Sequence, residues 1–431
     1  MSGSAINSRW RWLIFFGVLV AAGTLTLSGA RHAFAAHWAR SADASMWLRA
    51  AETEPTNADV WHQLGRYRQL DFEHSDLPLA ISYYRRAISI NPGSSLYWMD
   101  LAGAYETSGN VSEAEQDFRK AREVYPISAE AAWRFGNFLL RQGRTSEAFR
   151  QIHDAIAADP KLTALAVSRC WSRTRDIGEI LKTVLPDKPD QNWGATRFFV
   201  EAREPVAAMA VWRRIVSRRT SFPVAQAFPL LDMLIQTGQA DDAQTVWKQA
   251  LMAAGLPANP DSRGSLVWNG GFEHELLDGG FDWRVVPVTG AKMSWDEHIV
   301  HSGRRSLRID FNGTANVDFH NVRQYVPVQP ATRYRFRASL RSEQLTTDSG
   351  MHFEIRDVSR PGNPPRLTPN VLGTQAWIEE AMEIETGPDT RILELVLQRV
   401  PSEKLANKIQ GTAWIDDVAL DPSSAFMSAS R

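Results

Sequence analysis

Residues 95–126 read SLYWMDLAGAYETSGNVSEAEQDFRKAREVYP, and this stretch decides the fold. Its apolar residues recur at three- and four-residue spacing in two runs, the period of an amphipathic helix. Gly109-Asn110 separates the runs and Pro126 closes the unit, as turn and stop signals do. Working outward, the layout returns at a fixed interval. Pro92, Pro126 and Pro160 stand 34 residues apart, as do Ala80, Ala114 and Ala148, and Ala87, Ala121 and Ala155. Tyr84, Phe118 and Ile152 fill the large position between each alanine pair. Trp98, Leu101, Ala102 and Tyr105 become Ala132, Phe135, Gly136 and Leu139 one unit later. Trp61, Leu64 and Gly65 open the first unit, which carries a short insertion around Phe72–Leu77. A single helix pair cannot bury its own apolar face, so such units must stack.

Trp98, Leu101, Ala102, Tyr105, Ala114, Phe118, Ala121 and Pro126 resemble the signature positions of the tetratricopeptide repeat family. The resemblance implies an α-solenoid of helix pairs with a concave groove for a protein partner. Ala44, Leu48 and Ala51 fit the second helix of an incomplete leading repeat. Ala208, Trp212 and Ile215 fit another second helix, and Leu230, Leu231, Leu234, Ala243, Trp247 and Ala250 a further unit. About six repeats are expected over 40–256, with 161–190 degenerate. Arg213, Arg214, Arg218 and Arg219 are candidates for holding an acidic partner, against the ordinary reading of a solvated helix face.

The 431-residue chain carries 48 Lys+Arg against 49 Asp+Glu, a formal net charge of −1. That balance argues against a nucleic-acid partner, which needs a basic surface. The single Cys170 excludes an intramolecular disulfide, a lipobox and a cysteine-based zinc site, and beside Trp171 it reads as a buried, inert thiol. At the N-terminus, Arg9 and Arg11 precede the uncharged run Trp12–Ala30, WLIFFGVLVAAGTLTLSGA. It is close to the ~20 residues needed to cross a bilayer. Two readings stand for residues 1–35: a retained anchor, or a signal peptide cleaved at Ala33-Phe34-Ala35. Either way the bulk of the chain is expected outside the cytoplasm, periplasmic or extracellular, tethered to the membrane if the helix is kept.

At Gly255-Leu256-Pro257-Ala258-Asn259-Pro260 the helical period stops, and 257–265 reads as a linker. Beyond it, RRSLRIDF (304–311), RYRFRASL (333–340), MHFEI (351–355) and RILELVL (391–397) alternate apolar and polar residues. That texture predicts an antiparallel sandwich over 266–422, with 423–431 as a tail. The fold class expected is therefore multidomain, α plus β: an N-terminal transmembrane or signal helix, the solenoid, then the β-sandwich. The opening Asn269-Gly270-Gly271-Phe272-Glu273 and the closing Ala413–Leu420, AWIDDVAL, resemble the galactose-binding-like jelly rolls, in particular the carbohydrate-binding modules appended to xylanases and glucanases. The resemblance implies a structural calcium ion held by Glu273 and one of Asp416 or Asp417, since neighbours on a regular strand point to opposite faces. The ordinary reading is that these acids cap strand ends and pair with arginine.

A sugar needs an aromatic face beside polar side chains. The densest such mixture is Phe319, His320, Arg323 and Tyr325, with Trp295 and His352 as further candidates. Alternation places Val322, Gln324, Val326 and Val328 on one face and Phe319, Arg323 and Tyr325 on the other. Trp283, Trp377 and Trp414 read as core. No nucleophile elbow, HExxH, phosphate loop or dinucleotide fingerprint occurs, and the acid pairs Asp296-Glu297 and Asp416-Asp417 diverge on a strand rather than flank a bond. The function expected is that of a non-catalytic, membrane-tethered envelope adaptor. Its repeats would bind a protein and its jelly roll a glycan, in polysaccharide assembly or export. The alternative is a protein–protein scaffold whose jelly roll has no sugar ligand.

Overall fold

The computed structural model describes residues 8–41, 43–258 and 264–423. Among them are fourteen α-helices, followed by ten strands in two five-stranded sheets. The chain divides into two compact units, Met1–Pro186 and Asp187–Arg431.

The first unit begins with α1 (Ser8–Ala39). Its Trp12–Ala39 stretch has a mean hydropathy of 2.0 with none of its most apolar window buried, long and apolar enough to cross a membrane. The last turns of α1 pack on α2 (Ala44–Thr53), where Ala35, Ala50 and Ala51 are buried. Arg31 donates to Thr53 O at 2.8 Å, and His32 lies 2.9 Å from Glu54. The end of α1 thus supplies the first helix of the leading pair. Leu48, expected to point inward, is exposed, and Trp47 packs there instead.

Three regular helix pairs follow: α3 (Ala58–Leu70) with α4 (Leu77–Ile90), α5 (Ser95–Thr107) with α6 (Val111–Val124), and α7 (Ala129–Arg141) with α8 (Thr145–Ala158). Asn57, Asp76 and Ser128 cap their helices by accepting the backbone N–H three residues on. The small positions do what the period requires. Ala80, Ala87, Ala114, Ala121, Ala148 and Ala155 are wholly buried. A Cβ on Gly136 would lie 2.8 Å from Ile152 Cγ1, so α7 and α8 approach closely only without one. Trp47, Trp61 and Trp98 each donate their indole N–H to the carbonyl six residues earlier, at 2.8, 3.0 and 2.9 Å. The degenerate stretch forms α9 (Thr163–Thr174) and a short α10 (Ile177–Thr183). Cys170 is buried there, its thiol pushed up to about 12 by burial.

The second unit opens with α11 (Pro189–Glu201), α12 (Pro205–Ser217), α13 (Phe228–Gln236) and α14 (Ala240–Ala254). The strands are β1 (Arg284–Val285), β2 (Ala291–Asp296), β3 (Ser306–Asn312), β4 (Phe319–Pro327), β5 (Arg333–Leu345), β6 (His352–Asp357), β7 (Arg366–Leu367), β8 (Gly373–Glu385), β9 (Ile392–Arg399) and β10 (Gln410–Pro422). The first sheet has the order β1-β4-β9-β6-β7 and the second β2-β3-β10-β5-β8. Phe272, Trp283, Phe319, Phe336, Phe353 and Leu395 fill the space between them. Compactness divides the chain before α11, not at the expected linker, of which 259–263 lie outside the described residues. The reason is aromatic packing: Trp247 of α14 meets Trp268 at 5.2 Å and Phe281 at 6.2 Å, so the last helices and the sandwich share buried surface.

Candidate functional site

The outer face of the first sheet gathers most of the predicted sugar-binding residues. Along β9, Leu393, Leu395 and Leu397 belong to the core, so Glu394, Val396 and Gln398 point the other way. The same alternation turns Arg323 and Tyr325 of β4, and His352, Glu354 and Arg356 of β6, to that outer face. Register brings them together: Tyr325 opposes Glu394, which opposes Arg356, while Arg323 opposes Val396, which opposes Glu354. Arg356 pairs with Glu354 at 2.7 Å and lies 3.9 Å from Glu394, and Arg323 lies 3.7 Å from Glu394. Arg284 of β1 sets its guanidinium 5.3 Å over the Tyr325 ring and pairs with Asp232 of α13. Burial and then the charge of Glu394 raise the Tyr325 hydroxyl above its ordinary value. His352 is only 5% exposed, so it offers no open ring face. Its Nδ1 nonetheless has no hydrogen-bond partner in the protein. A buried polar atom without a partner costs about 1–3 kcal/mol, which a ligand atom would relieve.

Other candidates fall elsewhere. Phe319 is wholly buried in the sandwich core. The ladder between β4 and β9 shifts register between Phe319 and Val322, and this bulge turns Phe319 to the side of Val322 and Val326 rather than that of Arg323. His320 is exposed beside Asp318, at 3.6 Å. Trp295 is half-buried on β2, packed against the core, with Arg305 5.0 Å over its ring. Trp414 is buried but not in the core: it lies outside the second sheet, between the guanidiniums of Arg308 and Arg341 at 5.4 and 5.6 Å, and donates to Asp296 at 2.9 Å.

Glu273, Asp416 and Asp417 do converge, beside a cleft of about 320 Å³ lined also by His301, Ser302, Gly303 and Arg337. A register shift between Asp416 and Ala419, with Asp417 at φ 49°, breaks the regular strand that the expectation assumed. The opening segment seats on this bulge. Val418 N donates to Gly270 O at 2.9 Å, and a Cβ on Gly270 would fall 2.0 Å from Val418 O. Each carboxylate already has donors. Asp416 accepts the backbone N–H of His301, Ser302 and Asp417 at 2.8, 3.1 and 2.8 Å. Asp417 accepts from Ser302 Oγ and meets His301 Nδ1 at 2.6 Å. Glu273 accepts the N–H of Arg304 at 2.8 Å. Burial pushes the Asp416 carboxyl up to about 6. Among the described residues no group of three or more His, Cys, Asp or Glu is arranged to hold a metal ion. These hydrogen bonds are those of a strand-end cap.

Of the four arginines proposed for an acidic partner, Arg214 and Arg218 both pair with Asp187 at 2.9 Å, which holds that carboxyl well below its ordinary value. Arg213 and Arg219 are exposed. The groove of the repeat array was expected, but the residues that line it were not named. There Met99, Gly103, Trp133, Asn137, Arg141 and Arg169 line a depression of about 300 Å³ on α5, α7 and α9. Its signal was present, because these positions share one face of successive first helices.

The Tetratricopeptide repeat family model matches residues 69–123 and 99–162. The chain thus carries tetratricopeptide repeats, a scaffold for protein interaction. It is 32% identical over 85 residues to the Small glutamine-rich tetratricopeptide repeat-containing protein 2 of Mycosarcoma maydis, covering 20% of this chain and 24% of that one. It is 35% identical over 78 residues to the Cellulose synthase operon protein C of Komagataeibacter sucrofermentans, covering 16% of this chain and 6% of that one. The chain spans a quarter or less of these relatives' lengths. Among solved structures, a Clostridium thermocellum endo-1,4-beta-D-xylanase 10B fragment complexed with xylohexaose aligns at 12% identity and a TM-score of 0.26. That alignment covers 36% of this chain and 28% of that one, and carries no argument about function.

Proposed function

We propose that this chain is a non-catalytic, membrane-tethered adaptor of the cell envelope. Its repeats hold a protein and the outer face of its first sheet holds a glycan, in polysaccharide assembly or export. The observation that carries the reading is the connected face of Tyr325, Arg323, Arg356, Glu354 and Glu394, with the unpartnered Nδ1 of buried His352 among them. An aromatic ring among paired donors and acceptors suits a hydroxyl-rich ring. The likeness to a protein named for a cellulose synthase operon supports the polysaccharide link. Retention of the N-terminal helix is supported by its last turns. Cleavage after Ala35 would remove Arg31, His32 and Ala35 from their packing on α2 and the following turn.

The test is calorimetry of the full chain in detergent with soluble neutral β-glucans. Saturable binding should weaken at least about tenfold in Tyr325→Ala and stay unchanged in Leu405→Ala, whose side chain is fully exposed. One observation favours the protein scaffold as a second reading: Arg284 lies over Tyr325 and Arg305 over Trp295, so each ring already has a cation as partner. Absence of binding to every glucan, from a chain that melts cooperatively, would carry that reading instead.

A further inference from the structure

We infer that the face of the first sheet is walled at its β1 edge by α13, so that it takes the end of a neutral polysaccharide chain rather than a stretch within one. The inference rests on the glycan reading above. One row of residues crosses the whole sheet in register: Arg284 of β1 opposes Arg323, which opposes Val396, then Glu354, then Leu367 of β7. The two ends of the row differ. At the β7 end Leu367 is 54% exposed. At the β1 end the Arg284 side chain is only 15% exposed, pinned between the Tyr325 ring and Asp232. Asp232 sits one turn along α13 from Phe228, whose ring packs directly on the backbone of Gly279 just before β1. A chain lying along the row runs out over β7 and stops against α13.

The charges decide what kind of chain fits. Arg284, Arg323 and Arg356 are matched by Asp232, Glu394 and Glu354, so the face carries no net charge to select an acidic or a basic ligand. It offers fixed donors and acceptors, which suit hydroxyl groups. Two buried polar atoms lack a partner, and they lie at separate places on the face: Nε of Arg284 at the wall and Nδ1 of His352 on β6. A terminal sugar has a free hydroxyl where an internal one has a glycosidic oxygen. That hydroxyl would lie at the wall, beside the 15% of the Arg284 side chain that is exposed. An internal residue would need its next sugar to pass through α13.

The experiment counts protein molecules per glycan chain. The full chain in detergent is titrated with cello-oligosaccharides of two to six residues, then with short and long fractions of one soluble β-glucan. One protein per chain at both lengths is expected, with affinity levelling off within the oligosaccharide series. Asp232→Ala, which frees Arg284, should weaken cellohexaose binding about tenfold without changing the helical circular dichroism. Protein bound in proportion to chain length would overturn the closed end while leaving the glycan reading intact. Unchanged affinity in Asp232→Ala would overturn the part given to α13. No binding by the unaltered chain would overturn the glycan reading and the closed end together.

Discussion

In the repeat array, Trp47, Trp61 and Trp98 each donate to a carbonyl six residues back, the same bond made three times. In the sandwich, Trp283 donates to Asn269 O fourteen residues away, and Trp414 to an aspartate on a strand 118 residues earlier. The array is held by short-range contacts repeated from unit to unit. The sandwich is held by long-range contacts that occur once. Loss of one repeat contact should stay local, because each unit touches only its neighbours. Loss of one sandwich anchor leaves nothing equivalent in reserve, so the effect should spread through its sheet.

The largest expected effect tests that difference in the sandwich. Gly270→Ala places a methyl 2.0 Å from the backbone oxygen of Val418, which no rotamer change can relieve. A loss on the order of 3 kcal/mol is expected. Hydrogen exchange should rise across β10, β3 and β5 together, since those strands form one ladder. The counterpart in the array is Gly136→Val, where the neighbour is a side-chain atom, Ile152 Cγ1 at 2.8 Å, rather than backbone. It should cost about 2 kcal/mol and raise exchange in α7 and α8 only. Equal spread in both variants would break the contrast between the two regions.

The same contrast explains what was legible in the sequence. The array's 34-residue period, its small residues and its closing prolines are local, and helix pairs α3–α4 to α7–α8 fall where they predict. Strands β3, β5, β6, β9 and β10 were equally visible, because alternation is local too. What stayed hidden depends on pairing between distant segments. The bulge that turns Phe319 inward exists only in register with β9, and the bulge at Asp417 only in register with β5. His352 was chosen as exposed and is buried at 5% exposure, opposite Gln398 of β9. Arg399 was not singled out at all. It is wholly buried and donates to Asn316 Oδ1 at 2.8 Å and to Val317 O, a loop tie that no short motif announces. Of the face on the first sheet, the residues of β4 were found; Glu354, Arg356 and Glu394 were not, being ordinary charged residues until register joins them.

Two buried carboxylates, one in each region, shift in opposite directions. In the array, burial of Asp100 is outweighed by hydrogen bonds from His62 and Arg134, so its carboxyl is held below its ordinary value. In the sandwich, burial of Asp416 outweighs its backbone bonds and pushes it up to about 6 from 3.8. A lowered value stabilises the fold above the unfolded-state pKa, and that contribution is lost as pH falls. A raised value does the reverse: its contribution is full below about pH 4 and is lost as pH rises through 6. Stability of the unaltered chain relative to Asp416→Asn should therefore fall by on the order of 1 kcal/mol between pH 4 and pH 6. Relative to Asp100→Asn it should fall instead on acidification below pH 4. Urea melts of the two variants against pH measure both slopes, and slopes of the same sign would contradict this assignment.

The smallest expected effect is the addition of a chelator. A bound ion stabilises the state that binds it in proportion to the logarithm of its concentration over its dissociation constant. Calcium takes about six to eight oxygen ligands. At the bulge, Asp416 accepts three backbone N–H groups, Asp417 meets Ser302 and His301, and Glu273 accepts from Arg304. An ion there would compete with those donors for the carboxylate lone pairs, and each buried N–H it displaced would cost about 1–3 kcal/mol. Melting of the sandwich should therefore move by less than about 1 °C between excess calcium and excess chelator. A shift of several degrees would mean that these carboxylates exchange their N–H donors for a cation, and that the strand-end cap is only the metal-free arrangement of the site.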